Sequence, residues 1–172
     1  TQELYLKIST KNPSRFAACG RHCPVEMVSW VEALHFANAL SRRDQLTECY
    51  QFSDEMVLLK GGIACSGWRL PTEEEWGWLA RGGEQHIYAG SEKADEVGWF
   101  WENGSVQTHV GGKKKPNGFG LYDMHGNLWE WTSDWHGCNY PEDNEWCESD
   151  ERRVSRGGSW SSRIDNHKAS NR

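Results

Sequence analysis

The sequence has no run approaching the roughly 18 apolar residues that a membrane-crossing helix requires. No signal-like segment opens it either, but Thr1 is not a natural start, so that absence says nothing about compartment. Basic charge is scarce: 19 Lys and Arg against 25 Asp and Glu leave a net charge of −6. That balance speaks against a nucleic-acid partner, because phosphate binding needs a basic surface. The one basic run, Lys113, Lys114 and Lys115 beside Gly112 and Pro116, reads as a solvated turn. The apolar fraction is low too, at 37%, and neither an internal repeat nor a low-complexity linker divides the chain.

What is present offsets these shortages. Eleven tryptophans bury large areas each, and 18 glycines imply many turns,. So many aromatics exclude disorder, and 172 residues suffice for a real core,. Six cysteines fall into three sequence-local pairs: Cys19 with Cys23, Cys49 with Cys65, and Cys138 with Cys147. The even count in local pairs points to three loop-stapling disulfides and an oxidising compartment. A metal at Cys19-x-x-x-Cys23 would want a second pair of similar spacing, and none exists; free buried thiols are the third reading.

Local signals place two main helices. Over residues 28–43, Trp30, Leu34, Phe36, Ala37 and Leu40 recur at helical spacing, and Ser29 with Glu32 forms a capping-box pattern. Thr72 with Glu75 repeats that pattern ahead of a shorter helix, with Trp76 and Leu79 or Ala80 facing a core and Gly82-Gly83 stopping it. Residues 1–8 read as the tail of an amphipathic helix with Leu4 and Ile8 on one face. Residues 50–59 look like a strand ended by Gly61-Gly62, and 97–101 and 108–110 like short strands. The result is one α+β domain over residues 1–172, poor in regular structure.

Between residues 118 and 135 lies GFGLYDMHGNLWEWTSDW, where Asp123 and Glu130 stand seven residues apart. Gly118, Gly120 and Gly126 let the intervening backbone curl and turn carbonyls inward beside the two carboxylates. Oxygen-only ligation of this kind suits calcium, although the EF-hand alternation of acidic residues is absent. The competing reading is that the carboxylates cap a buried turn or pair with Arg69 or Arg156.

Four segments in order, VSWVEALHFANALS, GWRLPTEEEWGWLARGG, HVGGKKKPNGFGLYDMHGNLWEWTSDW and RVSRGGSW, together resemble the formylglycine-generating enzyme (sulfatase-modifying factor) family. The resemblance spans nearly the whole chain and implies an irregular variant of the C-type-lectin-like fold. It also implies a structural calcium held by the side chains of Asp123 and Glu130 and the carbonyls of Gly126 and Leu128. The family's second calcium site draws on an acidic insertion that GSVQTHVGGKKKPNG does not provide. Family members usually have an opening strand before this sequence begins and a closing strand after it ends. The expectation is therefore a piece of a longer protein, or a sheet completed by a strand-supplying partner.

The formylglycine-forming members resemble this chain but use two cysteines that bind copper. Lined up from Gly157, those positions fall at Ser162 and His167, and a serine hydroxyl is a poor soft-metal ligand. Neither copper nor iron is therefore expected, although His136, Asp165 and His167 sketch a two-His-one-carboxylate alternative. The favoured expectation is a non-catalytic, calcium-stabilised binding module of an extracytoplasmic (periplasmic, cell-surface or secreted) bacterial protein. Its small-molecule or protein ligand would meet Trp160, Ser162, Arg163, Asp165, Asn166 and His167, with His109, His125 and Trp135 as packing or nearby contributors. The alternative is a metal-dependent oxidase of the same family.

Overall fold

The structure is a computed structural model that describes residues 1–54, 56–136 and 152–164. The chain forms two compact units, Thr1–Leu70 and Pro71–Arg172.

In the first unit, helix α1 (Gln2–Ser9) is capped by Thr1, and Thr10 ends it in the left-handed region. Its most buried side chains are Gln2 and Tyr5, not the expected Leu4 and Ile8, which are half-buried. The reason is local: Tyr5 stacks on Phe36, centroids 4.8 Å apart, while Gln2 donates to the carbonyls of Phe16 and Pro24. Helix α2 (Trp30–Arg43) starts at the Ser29–Glu32 capping box, with both reciprocal bonds formed. Its Leu34 and Ala37 pack with Cys49 and Tyr50 into the unit's core. The stretch read as one strand folds back on itself as an antiparallel hairpin, β1 (Tyr50–Phe52) on β2 (Val57–Leu59). Ser53 makes the turn, its hydroxyl bonded to both the amide and the carbonyl of Met56. Disulfides join Cys19 to Cys23 and Cys49 to Cys65; Cys138 and Cys147 lie outside the described residues.

In the second unit, helix α3 (Glu73–Arg81) begins at the Thr72–Glu75 capping box and ends at Gly82 in the left-handed region. Trp76 and Ala80 are buried with Ala89 and Met124. A short helix α4 (Ala94–Val97) follows, and Val97 and Phe100 pack with Tyr88 and Ala94. Neither 97–101 nor 108–110 is a strand. Trp99 makes one parallel bridge to Gly126, and His109 exchanges backbone bonds with the side chain of Asn127. Side-chain anchoring replaces a ladder there. Strands β3 (Glu130–Trp135) and β4 (Arg153–Arg156) pair antiparallel, with a register irregularity between Trp131 and Trp135. The fold is thus α+β with few and short regular elements. Among the described residues, no helix is long and apolar enough to cross a membrane.

Candidate functional site

The loop ahead of β3 is tied to α3 at its start. Asn117 donates through its side-chain amide to the carbonyls of Leu79 and Ala80 at the end of α3. Its side-chain oxygen accepts from the amides of Phe119 and Leu121. Leu121 and Met124 then insert beside Trp76 and Ala80, and His125 is buried edge-on to the rings of Trp76 and Tyr88. Three residues carry the curl with positive φ: Asp123 at 55°, Gly126 at 72° and Asn127 at 60°. Asp and Asn tolerate that region better than most L-residues. Gly126 is obligatory, because a Cβ there would collide with the Trp99 carbonyl.

Asp123 and Glu130 meet in this curl. One Asp123 oxygen, Oδ2, accepts from the Gly112 amide at 2.7 Å. The other, Oδ1, is buried with no hydrogen-bond donor on it among the described residues. Glu130 accepts from the Trp76 indole N–H at 2.6 Å. As a residue Glu130 is half-buried, but its carboxyl end is enclosed by protein. Burial pushes that carboxyl up from 4.5 to about 7; the Trp76 bond opposes the shift and the Asp123 charge adds to it. Burial likewise raises Asp123, against the pull of the Gly112 bond. Beneath the curl, a Cβ on Gly157 would sit 3.3 Å from the Met124 carbonyl oxygen and 3.9 Å from that of Leu128. The Trp76 ring would lie 3.4 Å from that Cβ as well, so glycine at 157 lets the backbone pass close beneath these two carbonyls. Two mutually repelling carboxylates, one of them with an orphaned oxygen, are oxygen donors of the kind that fits a hard cation.

Downstream of β4, residues 159–162 form a serine-rich turn. The Ser162 amide donates to the Ser159 carbonyl at 3.0 Å, and the Ser159 amide donates to the Ser162 hydroxyl at 3.2 Å. Trp101, half of whose surface is exposed, donates its amide to the Ser162 carbonyl. Trp160 is half-buried and Arg163 exposed; Asp165, Asn166 and His167 lie outside the described residues. The turn is tied to the curl directly, since the Trp160 amide donates to the Asn127 carbonyl at 2.9 Å.

Other sequence candidates act as packing. His109 stacks on Trp99 at 3.9 Å, and its Nε2 lies 2.8 Å from the Gly104 carbonyl oxygen. Arg153 covers the Trp135 ring, and His136 is exposed, its amide bonded to the Arg152 carbonyl. Arg69 reaches the Ile63 carbonyl, while Arg156 lies 3.7 Å from Glu73. The basic run is only partly a solvated turn: Lys114 lies 4.0 Å over the Trp99 ring and donates to the Asp95 carbonyl. A cation over an indole face gains from the ring's negative quadrupole. The sequence marks Trp76 only as a core residue and does not single out Asn127 or Trp101. Of these two, only Asn127 carried a signal, as a left-handed-tolerant residue directly after a glycine.

These features define an irregular α+β scaffold built around a carboxylate-and-glycine curl. The chain belongs to the sulfatase-modifying factor enzyme 1-like domain family, which matches residues 6–172. It is 32% identical to the chaperone protein LppX of Paenibacillus barcinonensis, over 95% of this chain and 68% of that protein. It is 29% identical to the formylglycine-generating enzyme of Mycobacterium tuberculosis over 70% of this chain, spanning 48% of the enzyme's length. Among solved structures, Treponema denticola variable protein 1 superposes with a TM-score of 0.83 at 33% identity, covering 98% of this chain and 73% of that one.

Proposed function

We propose that this chain is a calcium-stabilised recognition module on the sulfatase-modifying-factor scaffold. The observation that carries the reading is the unsatisfied Asp123 Oδ1 beside a Glu130 carboxyl that burial and like charge hold up to about 7. Two such groups cost stability unless a cation neutralises them. Asp123, Glu130 and the carbonyls of Gly126 and Leu128 would hold the ion. A bound calcium would supply charge neutralisation and a rigid curl, with no part in bond making.

The recognition surface is the 159–164 turn with Trp160, Ser162 and Arg163, a loop displayed on a stable base as recognition loops commonly are. On the resemblance, Ser162 would stand where formylglycine-forming relatives carry a copper-binding cysteine, and serine does not support thiolate copper chemistry. The likeness to a protein named as a chaperone favours a protein over a small molecule as the ligand. Two formed disulfides, which persist in oxidising compartments, support an extracytoplasmic location,.

Metal analysis after dialysis into metal-free buffer tests this directly. About one calcium per chain is expected, reduced to background in Asp123→Ala and Glu130→Ala, together with a lower melting temperature in EDTA. A melt unchanged by EDTA removes the calcium. Stoichiometric copper or iron replaces the module with a metal-dependent oxidase, the reading that membership of an enzyme family supports.

A further inference from the structure

We infer that Asn127 is a positioning residue that couples occupancy of the Asp123–Glu130 curl to the presentation of Trp160. The inference rests on the calcium reading above and adds to it a consequence for the recognition turn.

Asn127 is 3% exposed and stands between Gly126 and Leu128, whose carbonyls would hold the ion under the calcium reading. Four of its polar groups are engaged. Its amide donates to the Trp99 carbonyl at 2.7 Å, and its carbonyl accepts from the Trp160 amide at 2.9 Å. Its side-chain oxygen accepts from the His109 amide at 3.0 Å, and its side-chain nitrogen donates to the His109 carbonyl at 3.1 Å.

The covalent geometry makes this arrangement a lever. The Gly126 carbonyl and the Asn127 amide belong to one planar peptide unit, so the tilt of either fixes the tilt of the other. The Asn127 carbonyl belongs to the next unit and holds Trp160. The two planes meet at the Asn127 Cα, where the paired His109 bonds clamp the side chain and leave little freedom to absorb a rotation. A second strut runs parallel, from the Gly126 amide to the Gly157 carbonyl at 2.8 Å. A cation that fixes the Gly126 carbonyl therefore fixes the peptide that seats Trp160. Trp160 is the second residue of the 159–162 turn, whose far end holds Trp101 through Ser162. Filling the curl thereby sets the geometry of an aromatic-flanked turn, without the ion touching it.

The test is residue-resolved amide hydrogen exchange of the full chain during a calcium titration, with calorimetry of calcium binding on the same sample. Calcium is expected to slow exchange at the Trp160 amide by about 5- to 150-fold, the usual span of coupling between sites. The Leu34 amide in α2 serves as the unaffected reference. Asn127→Gly keeps the positive φ and removes both His109 bonds. It is expected to bind calcium by calorimetry while Trp160 protection rises less than half as much on a logarithmic scale. Absence of calcium binding overturns the calcium reading and the coupling together. Binding with no change at Trp160 overturns the coupling alone. Equal protection in wild type and Asn127→Gly removes Asn127 from its role. If Asn127→Gly fails to fold by circular dichroism, the wild-type response decides the coupling, and Asn127→Ser takes the variant's place.

Discussion

The two units of the chain solve the same problem by different means. Thr1–Leu70 holds its loops with sulfur: Cys19–Cys23 and Cys49–Cys65 restrict the unfolded chain,. Among its buried amides, Asn38 bonds both the amide and the carbonyl of Tyr50. In Pro71–Arg172 no disulfide joins the described residues. Buried Asn117 and Asn127 and the carboxylates of Asp123, Glu130 and Asp134 organise the loops instead, and burial raises all three carboxyls. Sulfur staples act through the unfolded state and are indifferent to pH and ions below thiol-exchange conditions. Buried carboxylates act in the folded state, so the second unit's stability depends on what neutralises them.

The largest expected effect that would break this contrast is at Gly126. Gly126→Ala places a Cβ against the Trp99 carbonyl at a left-handed backbone position, and should cost on the order of 4 kcal/mol by urea unfolding. Retained stability would mean that the curl is loose, and the second unit would not be organised from it. Replacing Cys49 and Cys65 together by Ser should cost about 3 kcal/mol, as expected for a loop of this length,. That loss should be the same in calcium and in EDTA. A calcium-dependent loss would erase the distinction between the units.

The pH dependence sharpens it further. Glu130 binds its proton more tightly folded than unfolded, from 4.5 to about 7, and Asp123 shifts in the same direction. The stabilisation from a raised carboxyl is fully present below its unfolded value and lost as pH rises through its folded one. In EDTA, stability should therefore fall between about pH 4.5 and 7.5, by up to roughly 3 kcal/mol from Glu130. Calcium needs the deprotonated carboxylates and should flatten or invert that slope. Glu130→Gln should flatten the EDTA profile. Melting curves from pH 4.5 to 8.5 in both buffers decide it, and a flat EDTA profile for the wild type would refute the role given to Glu130.

How far these features were legible in the sequence follows from how local their causes are. Both capping boxes were, because Ser29 with Glu32 and Thr72 with Glu75 satisfy their bonds within one turn. The curl was visible as glycines flanking two carboxylates. The hairpin at 50–59 was read as a single strand because its turn depends on one serine, Ser53, without a glycine. The β3–β4 pair was missed, since Glu130 meets Arg156 only after a long excursion of the chain. Asn127 was invisible as a clamp for the same reason: Trp99, His109 and Trp160 approach it from three separate segments.

The smallest expected effects are at the helix starts, where the two units are closest in sequence logic and differ in support. Ser29→Ala and Thr72→Ala each remove one half of a capping box and should cost about 1 kcal/mol,. The first turn of α3 has a further anchor: Asp134, 61 residues away, accepts from the Glu73 amide at 2.7 Å. Thr72 and Asp134 thus serve the same group of helix-end donors, and their losses should not add. A double-mutant cycle of Thr72→Ala with Asp134→Ala, which removes the acceptor, should return an interaction energy of at least about 0.5 kcal/mol, the usual sign of a shared network. Asparagine there keeps an acceptor for the Glu73 amide while removing the charge that burial penalises, so the single Asp134→Asn change should be nearly neutral at neutral pH. Strict additivity would show that α3 begins as locally as α2 does. The second unit's reliance on long-range polar anchors would then be confined to the curl.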